Sequence, residues 1–138
     1  MQVPFVERLL PPGKRVGIIT ISAANLTAEH LEGVGVDPET PCVGTESGRH
    51  FSRAILNDES ELDIEASRLD LLDVGNSLLT QHEDIGAIVL ECTNMVPYAA
   101  DLRRKFGLPV YSIYTLLTWF QNGLLPRRFQ PELDDTRL

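Results

Sequence analysis

A cysteine that follows a short apolar strand is the residue of this chain best placed to do chemistry. Residues 87–90 form an unbroken apolar run, as in a strand covered on both faces, and Glu91 and Cys92 come directly after it. We predict that a helix begins here, with Asn94 as its N-cap and Pro97 in its first turn. Free main-chain N–H groups at such a helix start favour an anion, either the Cys92 thiolate or a bound carboxylate. The same position can lower the pKa of a thiol from its usual value of roughly 8.5.

The cysteines also have structural interpretations. Cys92 can be a buried thiol at a strand end, because free cysteine is among the most buried residue types. The same interpretation is the favoured one for Cys42, a small hydrophobic residue on a predicted strand. We expect two thiols rather than a disulfide. We also expect no metal site, since there is no CxxC motif and the three histidines are widely spaced in the sequence.

Composition and net charge restrict the classes of function that we expect for this chain. The chain has 138 residues and a formal net charge of −8, which argues against binding to nucleic acid because its basic clusters are too short to neutralise phosphates. No apolar run approaches the roughly 20 residues that cross a bilayer, and the first residues do not form a secretory signal. We therefore expect no membrane insertion, and the cytoplasm is the default location.

The hydrophobic pattern predicts alternating strands and helices in one α/β domain over residues 1–138. Such alternation indicates βαβ crossovers and a parallel sheet. Gly107 is expected as the residue that ends one helix, and Gly123 as the residue that ends the last one. Strands are predicted over residues 15–21, 41–45, 87–91 and 110–113, and helices over about 27–33, 50–57, 61–82, 96–106 and 115–122.

Polar segments follow three of the predicted strands, at residues 20–25, 92–94 and 112–115. Ligand sites of parallel sheets lie outside the carboxyl ends of the strands, so these segments are expected to gather at one site. Ser22 and Asn25 are candidates to line it, although the same residue types also cap helices without binding anything. Glu91 is either a functional acid or a carboxylate that caps a helix or faces a partner, and the sequence leaves both open.

Two segments give the chain a resemblance to a known family. They are Glu91-Cys-Thr-Asn94 at a strand end and Thr20-Ile-Ser-Ala-Ala-Asn-Leu-Thr27 after the first strand. With residues 90–100 and 107–110 as the strongest match, the sequence resembles the aspartate/glutamate/hydantoin racemase superfamily over residues 14 to about 129. Its members have two similar α/β lobes, each with one catalytic cysteine. The Cys-Thr-Asn triplet looks like the motif of the second lobe.

The resemblance implies a flavodoxin-like three-layer α/β domain with about four parallel strands, equivalent to one lobe. It also implies proton transfer, without a metal or cofactor, at the carbon alpha to the carboxylate of a small substrate such as an amino acid. Cys92 would be a catalytic acid or base. Thr93 and Asn94 would hold the substrate carboxylate, and Ser22 and Asn25 would line the same cleft.

The chain departs from the family pattern because it has no first-lobe cysteine motif. Cys42 belongs to the second strand of this same lobe and does not replace it by order in the chain. Residues 1–13 look like the end of the connection between two lobes, followed by the lobe itself at 14–123 and a tail at 124–138. We therefore expect an incomplete site that is completed by a missing first lobe, or a homo-oligomer that buries apolar residues such as Trp119.

One alternative is a catalytically silent module that keeps the fold for anion binding or assembly. A weaker alternative is a thiol hydrolase or redox protein, for which no general-base histidine lies near Cys92 in the sequence.

Overall fold

The computed structural model describes residues 2–127, and within that range no helix is long and apolar enough to cross a bilayer. Helices and strands alternate along most of this range, as the hydrophobic pattern predicts. In chain order the elements are α1 (Gln2–Glu7), β1 (Arg15–Thr20), α2 (Ala28–Glu32), β2 (Cys42–Gly44), α3 (Phe51–Leu56), α4 (Ile64–Gln81), β3 (Ile85–Leu90), a 3₁₀ helix (Thr93–Tyr98), α5 (Ala99–Phe106), β4 (Val110–Tyr111) and α6 (Ile113–Leu124).

The four strands form one parallel sheet in the order β2-β1-β3-β4. This is the strand order of a flavodoxin-like three-layer α/β fold, and the predicted fold class is confirmed. The chain leaves β1 toward β2 on one side and later adds β3 on the other side. In such sheets the crevice for ligands opens at this reversal, between the carboxyl ends of β1 and β3.

Each face of the sheet is covered by its own apolar cluster. Ile19, Ile88 and Leu90 point to the first cluster, which also contains buried residues of α3, α4 and α5. Ile18 and Val89 point to the second cluster, which contains buried residues of α1 and α2. Because successive residues of a strand point to opposite faces, a continuous apolar run such as that of β3 supplies both clusters.

The first helix is a feature that the sequence did not indicate. Residues 1–13 resembled a connecting segment, but Gln2–Glu7 is helical, and Val3 and Val6 are buried in the second cluster. A helix of six residues is too short for its periodicity to be recognised, and it gains its stability from packing rather than from propensity.

The helix after Cys92 also differs from the prediction at its start. Cys92, not Asn94, is the N-cap, and residues Thr93–Tyr98 form a 3₁₀ helix before α5 continues to Phe106. The main-chain N–H of Met95 bonds the carbonyl of Cys92 at 3.1 Å, so the chain turns two residues earlier than expected.

The structure confirms the predicted helix end at one glycine and contradicts it at another. Gly107 ends α5 with a left-handed backbone at φ 71°, as predicted. Gly123 lies inside α6, which continues to Leu124, so the prediction that this glycine stops the helix is wrong. The predicted tail begins at residue 124, and its part beyond Arg127 lies outside the described residues.

Candidate functional site

The carboxyl ends of β1 and β3 bring the predicted segments together. Ile19 pairs with Leu90, so Thr20 and Glu91 leave the sheet side by side. The buried hydroxyl of Thr20 donates a hydrogen bond of 2.8 Å to Oε2 of Glu91. This hydrogen bond therefore holds the Glu91 carboxylate in position at the crevice. The sequence alone left the role of Glu91 open.

Cys92 lies next to this carboxylate and is half-buried against the first cluster. Burial raises the pKa of its thiol, the main-chain N–H of Asn94 acts in the opposite direction, and the charge of Glu91 raises the pKa further. The expectation that this position lowers the thiol pKa is therefore wrong for the chain as it stands. Desolvation disfavours a thiolate more strongly than one free N–H group at a short 3₁₀ helix stabilises it.

A cavity of about 640 Å³ opens beside the same strand ends. Ser22 and Asn25 line it together with Glu91. Most of its other lining is apolar and comes from the second cluster and α6. Cys92, Thr93 and Asn94 are not part of the lining, so the predicted site residues fall into two groups with Glu91 between them.

Glu46 is a further carboxylate at this edge of the sheet, and the sequence analysis did not single it out. The N–H of Ala24 donates to Oε1 of Glu46 at 3.2 Å. Although burial opposes it, hydrogen bonds from the main-chain N–H groups of Glu46, Ala24 and Ala23 and from the Ser22 hydroxyl lower the pKa of Glu46. A signal was present, because Glu46 follows β2 and the carboxyl end of β2 meets the same edge of the sheet.

The second cysteine lies apart from Cys92. Cys42 is on β2 and packs against the second cluster, whereas Cys92 packs against the first. Burial, assisted by the charges of Glu46 and Glu91, raises the pKa of Cys42 to about 11. Both cysteines are free, which confirms the prediction of two thiols.

The histidines have structural partners. Nδ1 of His30 accepts the N–H of Thr27 at 3.1 Å in a capping box at the start of α2. Nε2 of His50 accepts the N–H of Asp63 at 2.9 Å, just before α4. Within the described range, no group of three or more His, Cys, Asp or Glu side chains is arranged to hold a metal ion.

Comparison with known proteins shows a distant similarity to a lyase. No family model matches the chain. A dimethylsulfoniopropionate lyase from Durusdinium sp. clade D is 26% identical over 129 residues, which cover 89% of this chain and 42% of that protein. The chain therefore spans less than half the length of this relative.

Proposed function

We propose that the chain is one lobe of an enzyme that transfers a proton, without a cofactor, at the carbon alpha to a carboxylate, with Cys92 as the acid or base. The observation that carries this proposal is the half-buried Cys92 thiol at the carboxyl end of β3, where the strand order reverses. The crevice at such a reversal is where sheets of this type bind ligands. The resemblance of residues 90–100 to a racemase cysteine motif is its second support.

The protonation state of Cys92 defines its part in the chemistry. Because its pKa is raised, the thiol is protonated at neutral pH and can donate a proton to a carbanion whose alpha proton another base has taken up. After donation, the N–H of Asn94 stabilises the thiolate, which then removes a proton from the next substrate molecule. Thr93 and Asn94 are exposed beside the sulfur, where their main-chain N–H groups would hold the substrate carboxylate.

The similarity to a lyase supports a second candidate reaction, which begins with the same step, the removal of the alpha proton. Dimethylsulfoniopropionate is a carboxylate that carries a sulfonium group on the carbon beta to the carboxyl group. When a base removes the alpha proton, the electron pair forms a carbon–carbon double bond and the carbon–sulfur bond breaks, which gives acrylate, dimethyl sulfide and one proton. A racemase and this lyase thus share the removal of an alpha proton and differ in the fate of the carbanion.

A complete site would need a second protein surface. Helix α6 has no buried residue, and the side chains of Tyr114, Leu117, Trp119 and Phe120 are exposed on it. The lyase that matches this chain is more than twice as long as the matched region. We propose that another lobe covers this α6 surface and brings a second acid or base to the substrate.

The experiment is exchange of alpha hydrogen for deuterium, followed by NMR in D₂O. The panel contains aspartate, glutamate, a hydantoin and dimethylsulfoniopropionate, and release of dimethyl sulfide is measured in parallel. Cys92→Ser is expected to lower the exchange rate about 100-fold or more, and Cys42→Ser is the matched control that leaves it unchanged. Exchange without racemisation fits a single working base.

The fate of the carbanion separates the two candidate reactions. Dimethyl sulfide release that depends on Cys92 favours the lyase, whereas racemisation of an amino acid favours the racemase and requires a second base. If no substrate exchanges, or if Cys92→Ser leaves exchange unchanged, the chain is better described as the silent anion-binding or assembly module.

A further inference from the structure

The loop that follows β1 already holds a carboxylate, and that carboxylate belongs to the chain itself. The N–H of Ala24 donates a hydrogen bond of 3.2 Å to Oε1 of Glu46, and the N–H of Ala23 and the hydroxyl of Ser22 lie close enough to help lower the pKa of this side chain. These donors come from three consecutive residues. They converge on one small volume at the carboxyl edge of the sheet.

Gly44 creates the space for this arrangement. A Cβ atom at residue 44 would overlap the Glu46 carboxylate and would lie 2.5 Å from the main-chain nitrogen of Ala23. The backbone of Gly44 is not in the left-handed region, so its conformation does not call for glycine. The missing side chain instead leaves a cradle beside the Ala23 amide, which the Glu46 carboxylate occupies.

The position of this cradle relates it to the cavity and to Cys92. Ser22 contributes both to the cradle and to the lining of the 640 Å³ cavity. Strand β1 lies between β2, which leads to Glu46, and β3, which leads to Cys92. Neighbouring strands are about 4.8 Å apart, and the Glu46 carboxylate lies against Gly44 on β2, so the cradle is up to about two strand spacings from the start of the cysteine segment.

We infer that the Ala23 and Ala24 amides and the Ser22 hydroxyl form a binding site for the carboxylate of a small ligand, and that Glu46 fills this site until the ligand displaces it. Glu46 is exposed and is attached through a flexible side chain, so it can leave without a change in the sheet. This inference goes beyond the proposed function, because it assigns a second carboxylate site at the ends of β1 and β2, apart from Thr93 and Asn94, and it requires no reaction at Cys92.

The test uses propionate as the probe and the full chain labelled with ¹⁵N. Propionate is titrated into the wild type and into Glu46→Ala, and the amide signals of Ala23 and Ala24 are followed by NMR. Removing the competing carboxylate is expected to tighten propionate binding about tenfold or more, because hydrogen bonds to a charged group are among the stronger ones. Glu32→Ala, which also removes an exposed negative charge, is the matched control and should bind like the wild type.

Two more variants make the result specific. Glu46→Gln keeps the shape and removes the charge, so it should bind propionate more tightly than the wild type and serves as the test if Glu46→Ala does not fold. Ser22→Ala in the Glu46→Ala background should weaken binding several-fold because one donor is lost.

The inference is overturned if propionate does not shift the Ala23 and Ala24 signals in either Glu46 variant, or if Glu32→Ala tightens binding equally. In that case Glu46 is only a tether that holds the loop. Cys92→Ser in the Glu46→Ala background separates this inference from the proposed function. Unchanged propionate binding, together with alpha-hydrogen exchange that is absent in the wild type or unaffected by Cys92→Ser, would reject the chemistry and keep the site.

Discussion

At the scale of single residues, the main question is why Cys92 is a thiol rather than a thiolate. Its sulfur lies partly within an apolar cluster and beside the fixed carboxylate of Glu91, and both conditions disfavour negative charge. The opposing contribution is one N–H group, that of Asn94. A ligand or second lobe that neutralises Glu91 would therefore lower the thiol pKa.

This balance predicts the pH dependence of alkylation at Cys92. In a Cys42→Ser background, the rate with iodoacetamide should be low at neutral pH and should rise as the pH passes the raised thiol pKa, because only the thiolate reacts. Glu91→Gln removes the nearby charge, so its rate profile should move to lower pH. Mass spectrometry of the alkylated peptide gives the rate.

Glu83→Gln is the matched control for this experiment, because Glu83 is exposed and is absent from the causes of the Cys92 shift. Its alkylation profile should equal that of the parent protein. A parent profile with its midpoint below that of an ordinary thiol would contradict the protonated state assigned to Cys92.

At the scale of elements, a carboxylate from one helix stabilises the start of another. The two oxygens of Asp70 on α4 accept the main-chain N–H groups of Arg49, His50 and Phe51 at 2.7, 2.7 and 2.9 Å. His50 is the N-cap of α3 but makes no capping bond with its own side chain. Helix α3 has only six residues, so it depends on this contact from outside itself.

Asp70→Asn is expected to lower the free energy of unfolding by about 2–3 kcal/mol, because buried N–H donors lose a charged acceptor. Although burial opposes it, hydrogen bonds from the N–H groups of residues 49–51 and the charge of Arg49 hold the pKa of Asp70 below its usual value. The contribution of Asp70 is therefore present above the unfolded-state pKa of about 3.9 and is lost as the pH falls through the lower folded-state pKa. Urea unfolding at several pH values measures both effects.

Asp73→Asn provides the comparison on the same helix. Asp73 pairs with Arg49 at 2.7 Å, but both side chains are more than half exposed, so the loss should stay below about 1 kcal/mol. Equal losses of unfolding free energy for Asp70→Asn and Asp73→Asn would show that the cap at Asp70 stabilises the protein no more than an exposed ion pair does.

A second prediction for the elements concerns the two glycines near helix ends. Gly107→Ala should reduce the free energy of unfolding by about 1 kcal/mol, because its backbone is left-handed at φ 71°. Gly123→Ala should be neutral or stabilising, since Gly123 lies within α6 and a Cβ there would meet nothing within 4 Å. Thermal unfolding of both variants checks the difference in sign, and a loss at Gly123 as large as that at Gly107 would contradict it.

At the scale of the whole molecule, the exposed side of α6 carries several large apolar side chains among residues 2–127. Trp119 is 60% exposed, with its ring 5.7 Å from that of Phe5, and both belong to a patch that continues along the helix. Apolar patches of this kind mark interaction surfaces. The second lobe that we propose would cover this patch.

The isolated chain is therefore expected to self-associate through α6 when no second lobe is present. Trp119→Glu should shift the population toward the monomer in sedimentation velocity and should weaken binding of an apolar dye, because it adds a charge at the centre of the patch. Thr118→Glu places the same charge on a neighbouring exposed residue of α6 and should have a smaller effect. A monomeric parent chain would contradict this use of the surface.

The fold could be predicted from the sequence more completely than the site. The unbroken apolar run of β3 and the alternation of strands with helices indicate a parallel sheet, and the structure has it. Helix α1 was missed because two buried valines give too weak a pattern. Of the site, the sequence predicted one cleft shared by Ser22, Asn25 and Cys92, whereas the structure places Ser22 and Asn25 on a cavity whose lining does not include Cys92.

Properties set by neighbouring residues along the chain were determined by the sequence alone. The apolar strand before Cys92 and the left-handed turn at Gly107 are of this kind, because both depend on side-chain type and backbone freedom within a few residues. The tertiary structure alone decided the partners of carboxylates: Glu91 with Thr20, and Glu46 with the loop at Ala24. It also decided the direction of the Cys92 pKa shift. The physical reason is that burial, hydrogen bonding and charge act through space, between residues that only the folding of the sheet brings together.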